Sequence, residues 1–121
     1  MTIKPGAILI KDNLILTGLM FHTFDFRLIE IIGWLAITHG IYITEGYREK
    51  RHADDLHGTR PVRAIDCRER VYADAIEITK EINDRWTYDP ERLHKKCCVL
   101  HDVGKGMHMH IQVHPRTRRT F

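Results

Sequence analysis

Cys97-Cys98-Val99-Leu100-His101-Asp102-Val103-Gly104-Lys105-Gly106-Met107-His108-Met109-His110-Ile111-Gln112-Val113 is the stretch that decides the fold. Residues 97–100 and 109–113 are apolar and β-forming. Gly104-Lys105-Gly106 between them is a turn signal, so the segment reads as a hairpin. Upstream, Leu28, Ile31, Ile32 and Leu35 recur at helical spacing over about residues 25–38, and His39-Gly40 follows as a stop. Ile41-Tyr42-Ile43-Thr44 is β-branched and aromatic, hence a strand, and residues 62–67 form a second short one. Val71, Ala75, Ile78 and Ile82 mark another helix that ends near Trp86, with Tyr88-Asp89-Pro90 as a turn. The order helix, strand, strand, helix, strand, strand predicts an α+β fold, a small and largely antiparallel sheet packed with two main helices.

Working outward, residues 7–16 read as a strand–turn–strand or an irregular apolar arm, because Asp12-Asn13 is a turn signal. Residues 46–61 are polar, carry Gly46, Gly58 and Pro61, and read as a long loop; such loops in small domains are usually functional. The tail 115–121 is basic and expected to fray. There is no internal repeat and no low-complexity segment. The 121 residues fit one domain, 1–121, with its core at about 20–114 and the basic tail at 115–121.

A 43% hydrophobic and 29% charged composition is that of a folded chain rather than a disordered one. The net charge of +3 favours adsorption to an anionic polymer without choosing between nucleic acid and bacterial wall. No segment approaches the roughly 20 apolar residues of a membrane span. The N-terminus lacks a signal-peptide pattern, so synthesis is expected in the cytoplasm, with any phage-type release to the cell wall by another route. The three cysteines, Cys67, Cys97 and Cys98, are an odd count without a secretory signal and read as reduced core residues. Nine histidines stand out, four of them (His101, His108, His110 and His114) within fourteen positions, a density that suggests metal binding or acid–base chemistry.

Two pieces carry that chemistry. In the first, His57 precedes Asp66 across Gly58-Thr59-Arg60-Pro61-Val62-Arg63-Ala64-Ile65. The second is His108-Met109-His110. Zinc takes imidazole nitrogen and carboxylate oxygen, and a catalytic site keeps three protein ligands and one open position. A loop histidine, an aspartate on the next strand and a histidine on a distant strand supply such a set. Residues i and i+2 of a strand share a face, so His108 and His110 both face the metal, one as ligand and one beside it. Each piece alone also arises by chance; their order and flanks narrow the reading.

Thr44-Glu45-Gly46-Tyr47-Arg48, then His57 to Asp66 with Ala64-Ile65 before the aspartate, then His108-Met109-His110-Ile111-Gln112-Val113, resembles the hedgehog-type zinc peptidases. These include D-Ala-D-Ala carboxypeptidases and the L-alanyl-D-glutamate endopeptidases of phage endolysins. The resemblance covers about residues 41–114. It implies one zinc (Zn2+) per chain held by His57, Asp66 and His110. It implies that Arg48 holds the substrate carboxylate or the carbonyl oxygen that turns anionic. Two positions depart from the family pattern: Met107 stands where many members have a carboxylate base, and Glu45 stands where serine is usual. Other members have a histidine two residues before the last zinc histidine, as His108 is here, so the resemblance makes His108 the first choice for a proton-handling or oxyanion-contacting residue. Asp102, the nearest upstream carboxylate, is the second choice, unless it serves only to initiate the turn. His101, alternating with Asp102, is expected on the opposite face.

The resemblance implies a hydrolase: a zinc metallopeptidase that cuts peptidoglycan stem peptides, as carboxypeptidase or endopeptidase, with no nucleic-acid or membrane partner. In that mechanism zinc activates water and polarises the scissile carbonyl. The alternative is a zinc-binding module of the same fold that has lost catalysis, which the missing carboxylate at Met107 favours. A nucleic-acid role rests only on Arg116, Arg118 and Arg119 in the tail, and basic tails are usually just solvated.

Overall fold

A computed structural model describes residues 2–102, 104 and 106–121. The chain forms a mixed α+β fold. Strand β1 (Ile8–Ile10) leads into helix α1 (Asn13–Phe21), then helix α2 (Phe26–Thr38) and strand β2 (Ile41–Glu45). A 3-10 turn at Leu56–Gly58 precedes β3 (Ala64–Cys67); helix α3 (Ala75–Arg85) and the short β4 (Trp86–Thr87) follow. The hairpin strands β5 (Cys98–Asp102) and β6 (Met107–Gln112) come next, and β7 (Arg118–Arg119) closes the chain. Of the expected Gly104-Lys105-Gly106 turn, Lys105 lies outside the described residues.

The main sheet has the order β1-β2-β3-β6-β5, parallel between β1 and β2 and antiparallel elsewhere. One face meets the helices. Leu28, Ile31, Leu35 and Ala36 of α2 recur at three- and four-residue intervals and are buried, as are Ile78 and Ile82 of α3. They pack with Ile41, Ile43, Ile65, Cys67, Cys98, Met109, Ile111 and Val113. The period-2 alternation of β6 sends Met109 and Ile111 into this core and His108, His110 and Gln112 to the other face. That other face holds the site.

Helix α2 starts where the Asp25 carboxylate accepts from the Arg27 N–H at 2.9 Å. It stops at Gly40, whose φ of +87° suits glycine. A Cβ at Gly40 would also collide with the Lys4 carbonyl and the Ile3 side chain.

Three expectations change. Asp12-Asn13 opens a helix rather than a hairpin turn: Asp12 accepts from the Ile15 N–H at 2.9 Å, and N-caps and turns draw on the same residue types. A third α-helix is therefore present among the described residues beside the two expected main ones. The core also begins before residue 20, since Ile3 is buried and its N–H donates to the Val71 carbonyl at 2.9 Å. Finally, the tail does not fray. β7 pairs with β4 in register Trp86 with Arg119, Arg119 reaches Glu30 at 2.7 Å, Arg116 reaches Glu91 at 2.8 Å, and Thr117 is buried. Its cations find acids and an indole face on neighbouring elements, which composition cannot reveal.

The three cysteines are free and buried, as expected. Burial pushes the thiols of Cys97 and Cys98 up to about 12, so they stay protonated at neutral pH. No helix among the described residues is long and apolar enough to cross a membrane.

Candidate metal centre

Strand register lines up the site. After an irregularity in β2, Glu45 pairs with Asp66; Asp66 pairs with His110, and His101 with His108. His57 joins this row from the 3-10 turn. That turn is held by Asp55, whose carboxylate accepts from the N–H groups of His57 and Arg51, both at 3.1 Å. It packs tightly on the preceding loop: a Cβ at Gly58 would lie 2.8 Å from the Lys50 nitrogen and 2.9 Å from the Arg48 carbonyl oxygen. Glycine at position 58 lets the turn press His57 inward, where it is 2% exposed.

His57, Asp66 and His110 come together, with one ligand atom from each lying within 4.8 Å of the others. Hydrogen bonds behind the two rings set their tautomers. His57 Nδ1 lies 2.8 Å from the Gly46 carbonyl oxygen and must donate to it, which turns the Nε2 lone pair toward Asp66 Oδ2 at 3.4 Å. The Gln112 amide donates to the Lys96 carbonyl at 2.8 Å and so turns its own oxygen to His110 Nε2 at 3.2 Å. That nitrogen donates in turn, leaving the His110 Nδ1 lone pair facing Asp66 Oδ1 at 2.8 Å. Burial alone would push the Asp66 carboxyl up; with a proton on each facing ring, hydrogen bonding and charge from His110 and His57 outweigh burial and hold it far below its ordinary range. An ionised carboxylate facing two nitrogen lone pairs requires either a proton on each ring or a cation among the three.

The donor set fits zinc. Two imidazoles and one carboxylate are a catalytic-type ligand set, and tetrahedral zinc with its usual bond lengths separates ligand atoms by roughly 3.3 Å. The two rings approach different oxygens of Asp66, His110 Nδ1 at 2.8 Å from Oδ1 and His57 Nε2 at 3.4 Å from Oδ2.

Arg48 borders the centre. Its guanidinium lies 3.4 Å from Asp55, 3.6 Å from Glu45 and 3.9 Å from Asp66, and its Nε is buried with no hydrogen-bond partner among the described residues. Burial pushes the Asp55 carboxyl up, yet the N–H groups of Arg51 and His57 and the Arg48 charge hold it below the ordinary range. His108 also faces the centre, with Nε2 3.9 Å from Asp66 Oδ2.

The second proton-handling candidate is engaged by the turn. Asp102 accepts from the Gly104 N–H at 2.7 Å and the Gly106 N–H at 3.2 Å, and it does not line the cleft. The alternation along β5 puts His101, not Asp102, on the site face. The His101 ring centroid lies 4.3 Å from that of His108 and 5.5 Å from that of His110. Burial and the neighbouring His108 and His110 lower its pKa. Pairs counted outward from a Gly104–Gly106 turn would oppose 102 to 108; the observed register instead opposes Asp102 to Met107 and His101 to His108, which the sequence does not signal. Gln112, which orients His110, is the other residue the sequence reading passed over.

The site opens into a cleft of about 970 Å³ whose lining includes Lys11, Lys50, Arg51, Arg63, Arg68 and Arg70. No protein-family model matches the chain, and no curated protein or solved structure matches it.

Proposed function

We propose that this chain is a zinc-dependent peptidase acting on peptidoglycan stem peptides, of the hedgehog type. The observation that carries the reading is that His57 Nε2 and His110 Nδ1 both approach the Asp66 carboxylate, at 3.4 and 2.8 Å. Zinc held by these three residues supplies a Lewis acid for the scissile carbonyl and a nucleophile at neutral pH. Arg48 lies beside the centre, where its planar N–H fork can stabilise negative charge on the carbonyl oxygen. The three surrounding carboxylates hold that fork in place. His108, on the site face and 3.9 Å from Asp66, carries the proton to the leaving amine. The cations lining the cleft, which outnumber its acids, suit the carboxylates of an acidic peptide.

Untagged protein is expected to contain about one zinc at the centre and to release it when His57, Asp66 or His110 becomes Ala. Purified wall peptides are expected to be cut by the native chain and not by these variants. A native chain that takes up no zinc from micromolar solution at neutral pH overturns the reading.

The second reading is a zinc-binding module without catalysis. Met107 and the turn-bound Asp102 favour it, because neither offers a carboxylate base to the site. Native protein that holds zinc at this centre yet cuts no wall peptide selects it.

A further inference from the structure

Beside the first set lies another. Asp66, His101 and His108 offer one ligand atom each, all within 4.8 Å of one another. His101 and His108 are direct cross-strand partners, so the sheet itself presents both rings together. His101 Nε2 is buried and has no hydrogen-bond partner among the described residues. Leaving a buried imidazole nitrogen unsatisfied is unfavourable, and a metal bond is one way to satisfy it. Asp66 has two oxygens: Oδ1 contacts His110, while Oδ2 faces His108 as well as His57. A carboxylate so placed can bridge two ions, which in two-metal sites sit roughly 3.5–4 Å apart.

We infer that Asp66, His101 and His108 form a second divalent-cation site, sharing the Asp66 carboxylate with the His57–Asp66–His110 centre. It takes zinc or another first-row metal of similar ligand preference, because its donors are two imidazoles and one carboxylate. Charge ranks the two sites. Arg48 among Glu45, Asp55 and Asp66 leaves two negative charges, which the first ion neutralises, so the second binds more weakly. Filling the outer site engages the His108 nitrogen and withdraws it from proton transfer. This inference rests on the proposed function only through Asp66.

Equilibrium dialysis of the full chain against Zn2+ and Co2+, with metal counted per folded chain, tests it. Folding of each variant is checked by circular dichroism. The native chain is expected to reach about two ions, the second at least about 10-fold weaker. His101→Ala and, independently, His108→Ala should saturate at about one. Asp66→Ala should bind neither, and His57→Ala should keep the outer ion. The second Co2+ should also add its own visible absorption, a readout that needs no variant. Saturation of the native chain at one ion, lost in His57→Ala and unchanged in His101→Ala, overturns the second site and leaves the first. An ion retained in His57→Ala but lost in His101→Ala upholds the outer site and removes the proposed catalytic one. Absence of binding altogether overturns both.

Discussion

Arg48 stands among three carboxylates and keeps one buried N–H without a partner among the described residues. Lysine at this position would keep the charge but lose the planar fork that spans Asp55 and Asp66. Arg48→Lys is expected to retain zinc and fold while losing most hydrolytic activity; unchanged turnover on wall peptides would make it a purely structural cation. His108 and Asp102 separate in the same way. His108 faces the centre, whereas the Asp102 carboxylate is engaged by the Gly104 and Gly106 N–H groups. His108→Ala is expected to keep the His57–Asp66–His110 ion and lose about 100-fold in turnover, within the usual range for a general acid–base group. Asp102→Asn should cost far less activity, since an amide oxygen still accepts from the turn. The reverse ranking in steady-state kinetics would exchange their roles.

At the scale of elements, the tail strand shows how a short segment is held. Thr117 is buried; its hydroxyl donates to the Tyr88 carbonyl at 2.8 Å and accepts from the His114 N–H at 2.8 Å. Thr117→Val preserves the shape and removes both bonds, leaving the part-buried His114 N–H and the buried Tyr88 carbonyl without that partner. The expected loss is about 1–3 kcal/mol in urea unfolding. A midpoint equal to that of the native chain would return the tail to a loosely attached state. The 3-10 turn at Leu56–Gly58 is an element of the opposite kind, whose shape serves the site. There Gly58→Ala must displace the backbone at Arg48 and Lys50, so zinc affinity is expected to fall along with stability.

Across the whole molecule, charge placement sets the acid limit. The Glu91 N–H and the Arg92 guanidinium, with Arg116 nearby, hold the Asp89 carboxyl below its ordinary value. A carboxylate depressed in the folded state contributes stability in full above its unfolded value near 4. That contribution is lost as the pH falls through the lower folded value. The native chain should therefore lose stability more steeply below about pH 4 than Asp89→Asn does. Parallel slopes for the two proteins in acid unfolding would exclude Asp89 from the linkage.

The α+β order, α2, α3, β2 and the closing hairpin were legible because three- to four-residue and two-residue periodicities are local properties of the chain. The grouping of His57, Asp66 and His110 was legible from motif order, and the structure brings these residues together. Helix α1 was not legible, because an aspartate that caps a helix and one that starts a turn look alike until the following residues find their packing. The side on which His101 and Asp102 fall depended on the hairpin register, and reversing it exchanges their roles. The tail's attachment depended on Glu30, Trp86 and Glu91, residues remote in sequence. The sequence alone thus determined the periodic elements and the types of ligand. Tertiary structure decided which lone pairs meet the Asp66 carboxylate, because a tautomer is set by partners such as the Gly46 carbonyl and Gln112 that only folding brings into place.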